Sequence, residues 1–117
     1  KSAPAGMYAM EVFGHLGLVA AVRGKLVFAK DVRQVLAYVE SGNADAGIVY
    51  GSDVTGPTAV RPVAEAPPNS HKKVEYPAAI VRAAAHATEA ASFLDFLGSP
   101  RAAALFKTTG FATSSGP

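Results

Sequence analysis

Residues 31–53, DVRQVLAYVESGNADAGIVYGSD, decide how this chain folds. Apolar Val32, Val35, Leu36 and Val39 recur at i, i+3, i+4 and i+7, the stripe by which an amphipathic helix covers a core. Asp31 sits where an N-cap carboxylate serves exposed amides, and Gly42 where a left-handed residue stops a helix. Residues 46–50 (AGIVY) then run apolar without alternation, as strands covered on both faces do. Upstream, residues 25–29 (KLVFA) are rich in strand formers. Strand, helix and strand compose one βαβ unit, which predicts an α/β fold with a parallel sheet and a right-handed crossover.

Working outward, Met7, Tyr8, Met10, Val12, Phe13 and Leu16 predict a helix that starts near Pro4 and ends near Gly17. Proline fits that first turn because its missing N–H is not needed there. A short helical stretch follows at 19–22. Residues 51–58 read as a polar loop, 59–66 as a strand, and 67–70 (PPNS) as a turn. Residues 74–81 (VEYPAAIV) read as a strand interrupted by Pro77, which places it at a sheet edge or in a crossing between lobes. Two helices close the chain: one over 88–97, and one with Ser99 as cap, Pro100 at its first position and Gly110 as its stop. The tail 113–117 is expected to fray.

With 117 residues, 50% hydrophobic and 17% charged, the composition supports a globular core and argues against disorder. Eleven basic and nine acidic residues are scattered apart from Lys72-Lys73, so nothing forms the basic footprint of a nucleic-acid binder. No apolar run approaches the roughly 20 residues of a membrane span, and no signal-peptide pattern occurs. The absence of cysteine excludes disulfides and thiolate metal sites and is compatible with either redox compartment. The chain opens on Lys1 and is almost at once in a helix, so a piece of something longer is expected.

In open α/β sheets, ligands collect beyond the carboxyl ends of strands, where the following helices present their N-termini. The helix starting near Pro4 offers backbone N–H groups around Ala5, and the helix starting at Asp31 offers them around Val32. Each tip carries partial positive charge, so the pair can hold an anion without lysine or arginine. Tyr50, at the carboxyl end of its strand, adds a hydroxyl donor; the alternative is an ordinary packed aromatic whose hydroxyl meets solvent. The Val32 side chain belongs to the core stripe, so only its amide is a candidate. Asp31 either competes with an anion for the same amides or turns away to hold a neighbouring loop.

His15, His71 and His86 lack metal-ligand spacing, and no metal site is expected. The run 47–51 (GIVYG) lacks the serine of a nucleophile elbow, and no nucleophile stands beside a base, so no enzyme activity is expected. Glu40, Asp45 and Glu65 are isolated carboxylates expected in solvent, as is the Lys72-Lys73 pair, and Arg33 is expected to point outward.

The segments PAGMYAMEVFGHLGL (4–18), DVRQVLAYVESGNADAGIVYGSD (31–53), HKKVEYPAAIV (71–81) and FLDFLGSPRAAALFKTTGF (93–111) together resemble the second half of periplasmic molybdate-binding proteins, the substrate receptors of molybdate ABC transporters. The similarity runs in order over nearly the whole chain. It implies a type II periplasmic-binding-protein-like fold of two α/β lobes with the oxyanion in the cleft. Residues 1–73 would then be most of the second ligand-binding lobe, 74–82 a crossing strand or hinge, and 83–117 the C-terminal helices that pack on the first lobe. The resemblance assigns the ligand-binding groups to the amides of Ala5 and Val32 and the hydroxyl of Tyr50. It implies molybdate or tungstate as ligand, no cofactor, a membrane permease as partner and a periplasmic location. Serine hydroxyls and further amides of the other lobe have no counterpart in this sequence, nor does a strand preceding the PAG helix. Half a shell would bind a dianion weakly, since a buried charge needs most of its oxygens satisfied. Uncovered sheet edges and helix faces would favour self-association as a dimer or domain-swapped oligomer.

Overall fold

A computed structural model of the chain describes residues 4–56 and 59–113. They form two compact units, Lys1–Lys73 and Val74–Pro117.

In the first unit, α1 spans Pro4–His15, α2 spans Val19–Val22 and runs into a 3₁₀ turn at Arg23–Lys25, and α3 spans Val32–Glu40. A second 3₁₀ turn covers Gly51–Val54, within the stretch expected as loop. Both longer helices stop by the same chemistry. At the end of α3, the Gly42 amide donates to the Val39 carbonyl at 3.1 Å and the Asn43 amide to the Tyr38 carbonyl at 2.8 Å. This paired closure requires a left-handed residue, and Gly42 supplies it at φ +73°. At the end of α1, Gly17 at φ +67° plays the same part, with the Leu18 amide donating to the Phe13 carbonyl at 2.8 Å.

The segments expected as strands, 25–29, 46–50, 59–66 and 74–81, are irregular apart from Lys25, which ends the 3₁₀ turn, and no strand ladder joins them among the described residues. Strand formers favour an extended backbone, but a sheet exists only where a second extended segment accepts its hydrogen bonds. The segment 46–50 nevertheless lies close against α3. A Cβ on Gly47 would fall 2.5 Å from Val35 Cγ1 and 3.2 Å from Val39 Cγ2, so only glycine permits this approach.

The turn ahead of residue 74 is fastened to α1. Ser70 is buried, its hydroxyl donating to the Pro67 carbonyl at 2.6 Å. The Lys72 amide donates to Glu11 Oε2 at 2.7 Å, while Lys72 Nζ lies 3.8 Å from Glu11 Oε1. The His71 ring meets the Tyr8 ring edge-on, with centroids 5.9 Å apart. His71 is therefore half-buried in a tertiary contact.

In the second unit, α4 spans Ala87–Leu97 and α5 spans Pro100–Thr108. Ser99 caps α5, its hydroxyl oxygen accepting from the Ala102 amide at 3.2 Å, with Pro100 as the first helical residue. Gly110 at φ +81° closes that helix, and the Phe106 and Phe111 rings that flank the closure pack at 6.2 Å. Phe111 also meets Tyr76 edge-on at 5.7 Å, joining the extended segment to the end of α5. The frayed tail predicted for 113–117 lies outside the described residues beyond Thr113.

Among the described residues, the buried hydrophobic side chains are Val12 on α1 and Ala102 on α5. Val27, Phe28, Val63, Tyr76, Val81 and Phe93 are exposed by more than half. The apolar stripes that predicted these elements are therefore present but largely uncovered.

Candidate functional site

The sequence motif that starts α3 builds a reciprocal cap. Asp31 has an extended backbone, and its Oδ1 accepts from the Gln34 amide at 2.9 Å. Gln34 returns the contact, its Oε1 accepting from the Lys30 amide at 2.8 Å. This is a capping box shifted by one residue, since Gln34 reaches the residue before the cap rather than the cap itself. Asp31 thus neither swings away nor claims the first amide: its carboxylate takes the third. Val32 and Arg33, the first two residues of α3, have no earlier helical carbonyl to bond, so their amides remain at the tip.

Ala5 is the second residue of α1, and Pro4 ahead of it has no N–H. Its amide is likewise at a helix tip without an earlier helical carbonyl. Ala5 and Val32 line one cavity of about 510 Å³. Its walls are Gly6, Ala9, Met10 and Phe13 from α1, Asp31, Val32, Val35 and Tyr38 from the α3 region, and the extended segments 26–29 and 46–48. The first residues of both helices and two extended segments therefore border a single, mostly apolar space. The charged residues on its walls are Lys25, Asp31 and Asp45.

Tyr50 immediately precedes the Gly51–Val54 turn and is not among the residues bordering this cavity. Its amide donates to Asp53 Oδ2 at 2.9 Å, and the Asp53 amide donates back to the Tyr50 carbonyl at 3.0 Å. The backbone at Tyr50 is thereby fixed at the mouth of the turn. The structure brings together two of the three candidate residues, Ala5 and Val32.

Gln34 was legible from the spacing Asp31-x-x-Gln34, a capping-box signature that draws attention only once the helix start is assigned. No local pattern announces the contact between Glu11 and Lys72, which are 61 positions apart. Arg33 is exposed, as its place off the apolar stripe predicts. No group of three or more histidine, aspartate or glutamate side chains suited to a metal occurs among the described residues.

Residues 1–112 match the profile of the family described as bacterial extracellular solute-binding protein. The chain is 49% identical over 108 residues to the molybdate-binding protein ModA of Escherichia coli, an alignment covering 92% of this chain and 42% of that protein. It is 43% identical over 111 residues to YvgL of Bacillus subtilis, a putative ABC transporter substrate-binding lipoprotein, covering 95% of this chain and 43% of that one. It is also similar in structure to the substrate binding domain of a putative molybdenum ABC transporter from Clostridium difficile, with a TM-score of 0.89 at 38% identity. That likeness covers 98% of this chain and 50% of the other. The chain thus spans less than half the length of the curated relatives it matches.

Proposed function

The chain belongs to the bacterial extracellular solute-binding protein family, and from that premise we propose that it supplies part of the shell that holds molybdate or tungstate in the receptor of an ABC transporter. The observation that carries the reading is the cavity shared by Ala5 and Val32, the tips of two helices. Helix-tip amides suit a fully deprotonated oxyanion, because donors alone satisfy it, whereas a protonated phosphate also needs an acceptor. Sulfate is disfavoured by its smaller size. Tyr50 adds a hydroxyl to the shell; its assignment rests on the likeness of the GIVYGSD segment to molybdate-binding proteins. The protein does no chemistry on the ligand, consistent with a family of solute carriers rather than enzymes.

In the whole protein, residues 1–73 make up most of one lobe, 74–82 cross between lobes, and 83–117 provide helices that pack on the other. The extended segments 26–29 and 46–50 pair there into the parallel sheet of a type II binding protein. The similarity at TM-score 0.89 to half of a solved substrate-binding domain supports this placement. The permease of the transporter is the partner, and the periplasm, or the outer face of a membrane without one, is the location. Calorimetric titration of the full-length protein tests the reading: molybdate should give a saturable heat and sulfate far less. Silence with molybdate defeats it.

A second reading applies to the chain by itself. Val12 and Ala102 are the buried hydrophobic side chains among the described residues, while Phe28 and Val63 are more than two-thirds exposed. Apolar surface of this kind drives association at about 25 cal/mol per Å² covered. The isolated chain then forms a dimer or swapped oligomer and holds no oxyanion. Light scattering separates the readings, since a monomeric, molybdate-binding chain of this length excludes association.

A further inference from the structure

Asp31 is the feature of the cavity that the oxyanion reading leaves unexplained. An anion site gains nothing from a carboxylate on its wall. Yet Asp31 lines the same cavity as Ala5 and Val32, and Asp45 lines it too, against Lys25 as the one cation among the lining residues. Counted at their formal charges, two aspartates against one lysine give the walls a net charge of −1. An incoming dianion is therefore attracted by the helix tips and opposed by the side chains around them.

The hydrogen bonding separates two effects of Asp31. One oxygen, Oδ1, is committed to the Gln34 amide, which caps α3 while leaving the Val32 amide unclaimed. Any good capping side chain does this, asparagine as well as aspartate. The negative charge is the second effect, and the cap does not require it. Repulsion between that charge and a dianion is twice that felt by a monoanion at the same distance. Because Asp31 is exposed, solvent screens the repulsion to a modest size.

We infer that Asp31 tunes affinity and release in this site: its cap orders the start of α3 while leaving the Val32 amide unclaimed, and its charge holds dianion affinity below what the helix tips alone would give. A receptor that must surrender its cargo benefits from such an opposing charge. This inference rests on the oxyanion reading above.

The test uses the full-length protein with Asp31 intact, with Asp31→Asn and with Asp31→Ala, titrated with molybdate and followed by stopped-flow dissociation. Asn keeps the cap and removes the charge, so D31N should bind molybdate about three- to tenfold more tightly than the native protein, through slower dissociation and at an unchanged melting temperature. The gap should close near 1 M salt, where the screening length falls to about 3 Å. That salt dependence would not follow from a purely structural role. D31A loses cap and charge together, so it should melt earlier and bind more weakly than D31N. If D31N folds normally and binds no more tightly than the native protein, the role of Asp31 is overturned while the oxyanion reading stands. If the native protein gives no heat with molybdate, both fall.

Discussion

The starts of α3 and α5 are two solutions to the same problem, and the residue that follows the cap sets them apart. Each helix has an N-cap side chain that accepts from the third amide: Asp31 from Gln34 at 2.9 Å, and Ser99 from Ala102 at 3.2 Å. At the next position α3 places Val32 and α5 places Pro100. Valine leaves a donor at the tip; proline removes it. The tip of α3 also borders a cavity, together with the start of α1. The contrast separates capping, which stabilises a helix, from donor supply, which lets its tip hold a ligand.

The sharpest way to break the comparison is to give α3 the first residue of α5. Val32→Pro removes the amide hydrogen without disturbing the cap, since proline suits a first helical position and Asp31 already has the extended backbone, φ −156° and ψ 172°, that a following proline demands. A hydrogen bond to a charged partner contributes about 1.5–3 kcal/mol, so molybdate affinity of the full-length protein should fall about ten- to hundredfold at a nearly unchanged melting temperature. Calorimetry beside a thermal melt reads both. Unchanged affinity would remove α3 from the site.

Tyr50 offers a smaller effect. Its backbone is tied by Asp53, yet it does not border the cavity that Ala5 and Val32 share. In Tyr50→Phe the ring and the turn remain and one hydroxyl is lost. If that hydroxyl donates to the oxyanion, affinity should fall about tenfold, the lower end for a hydrogen bond to a charged partner, since water can enter the space the hydroxyl leaves. Equal affinity would assign Tyr50 to packing and leave the two helix tips as this chain's whole contribution.

The same contrast shows what could be read without coordinates. Helix limits were legible because their chemistry is local: the stripe from Val32 to Val39, the caps Asp31 and Ser99, and the stops Gly17, Gly42 and Gly110 lie within a turn of the ends they control. Ala5 and Val32 were legible as candidates for the same reason, lying in the first turns of such helices. The segments 26–29 and 46–50 carry strand composition, but a strand depends on a partner that composition does not name, and no ladder joins them among the described residues. The fastening of Lys72 to Glu11 was illegible because an exposed carboxylate on α1 looks alike whether or not a distant amide meets it. Tyr50 fell between these cases. Its place at the end of an apolar run was plain, but the direction of its ring depends on tertiary packing rather than on spacing.

The smallest expected effect comes from the reciprocal exchange, Pro100→Ala, which gives α5 the donor it lacks. Replacing a proline at a compatible position restores freedom to the unfolded chain, so stability should drop by about 0.4–1 kcal/mol. The new amide would sit at a capped helix tip in a favourable dipole, much as Val32 does. Yet Pro100 is exposed and is not among the residues bordering the cavity that Ala5 and Val32 share. A lone tip in water competes poorly for an oxyanion, because solvent satisfies both the amide and the ligand before they meet. In a Val32→Pro background, Pro100→Ala should therefore restore no molybdate binding by calorimetry. Restored binding would mean that a bare helix tip suffices, and the convergence of α1 and α3 on one cavity would lose its explanatory role.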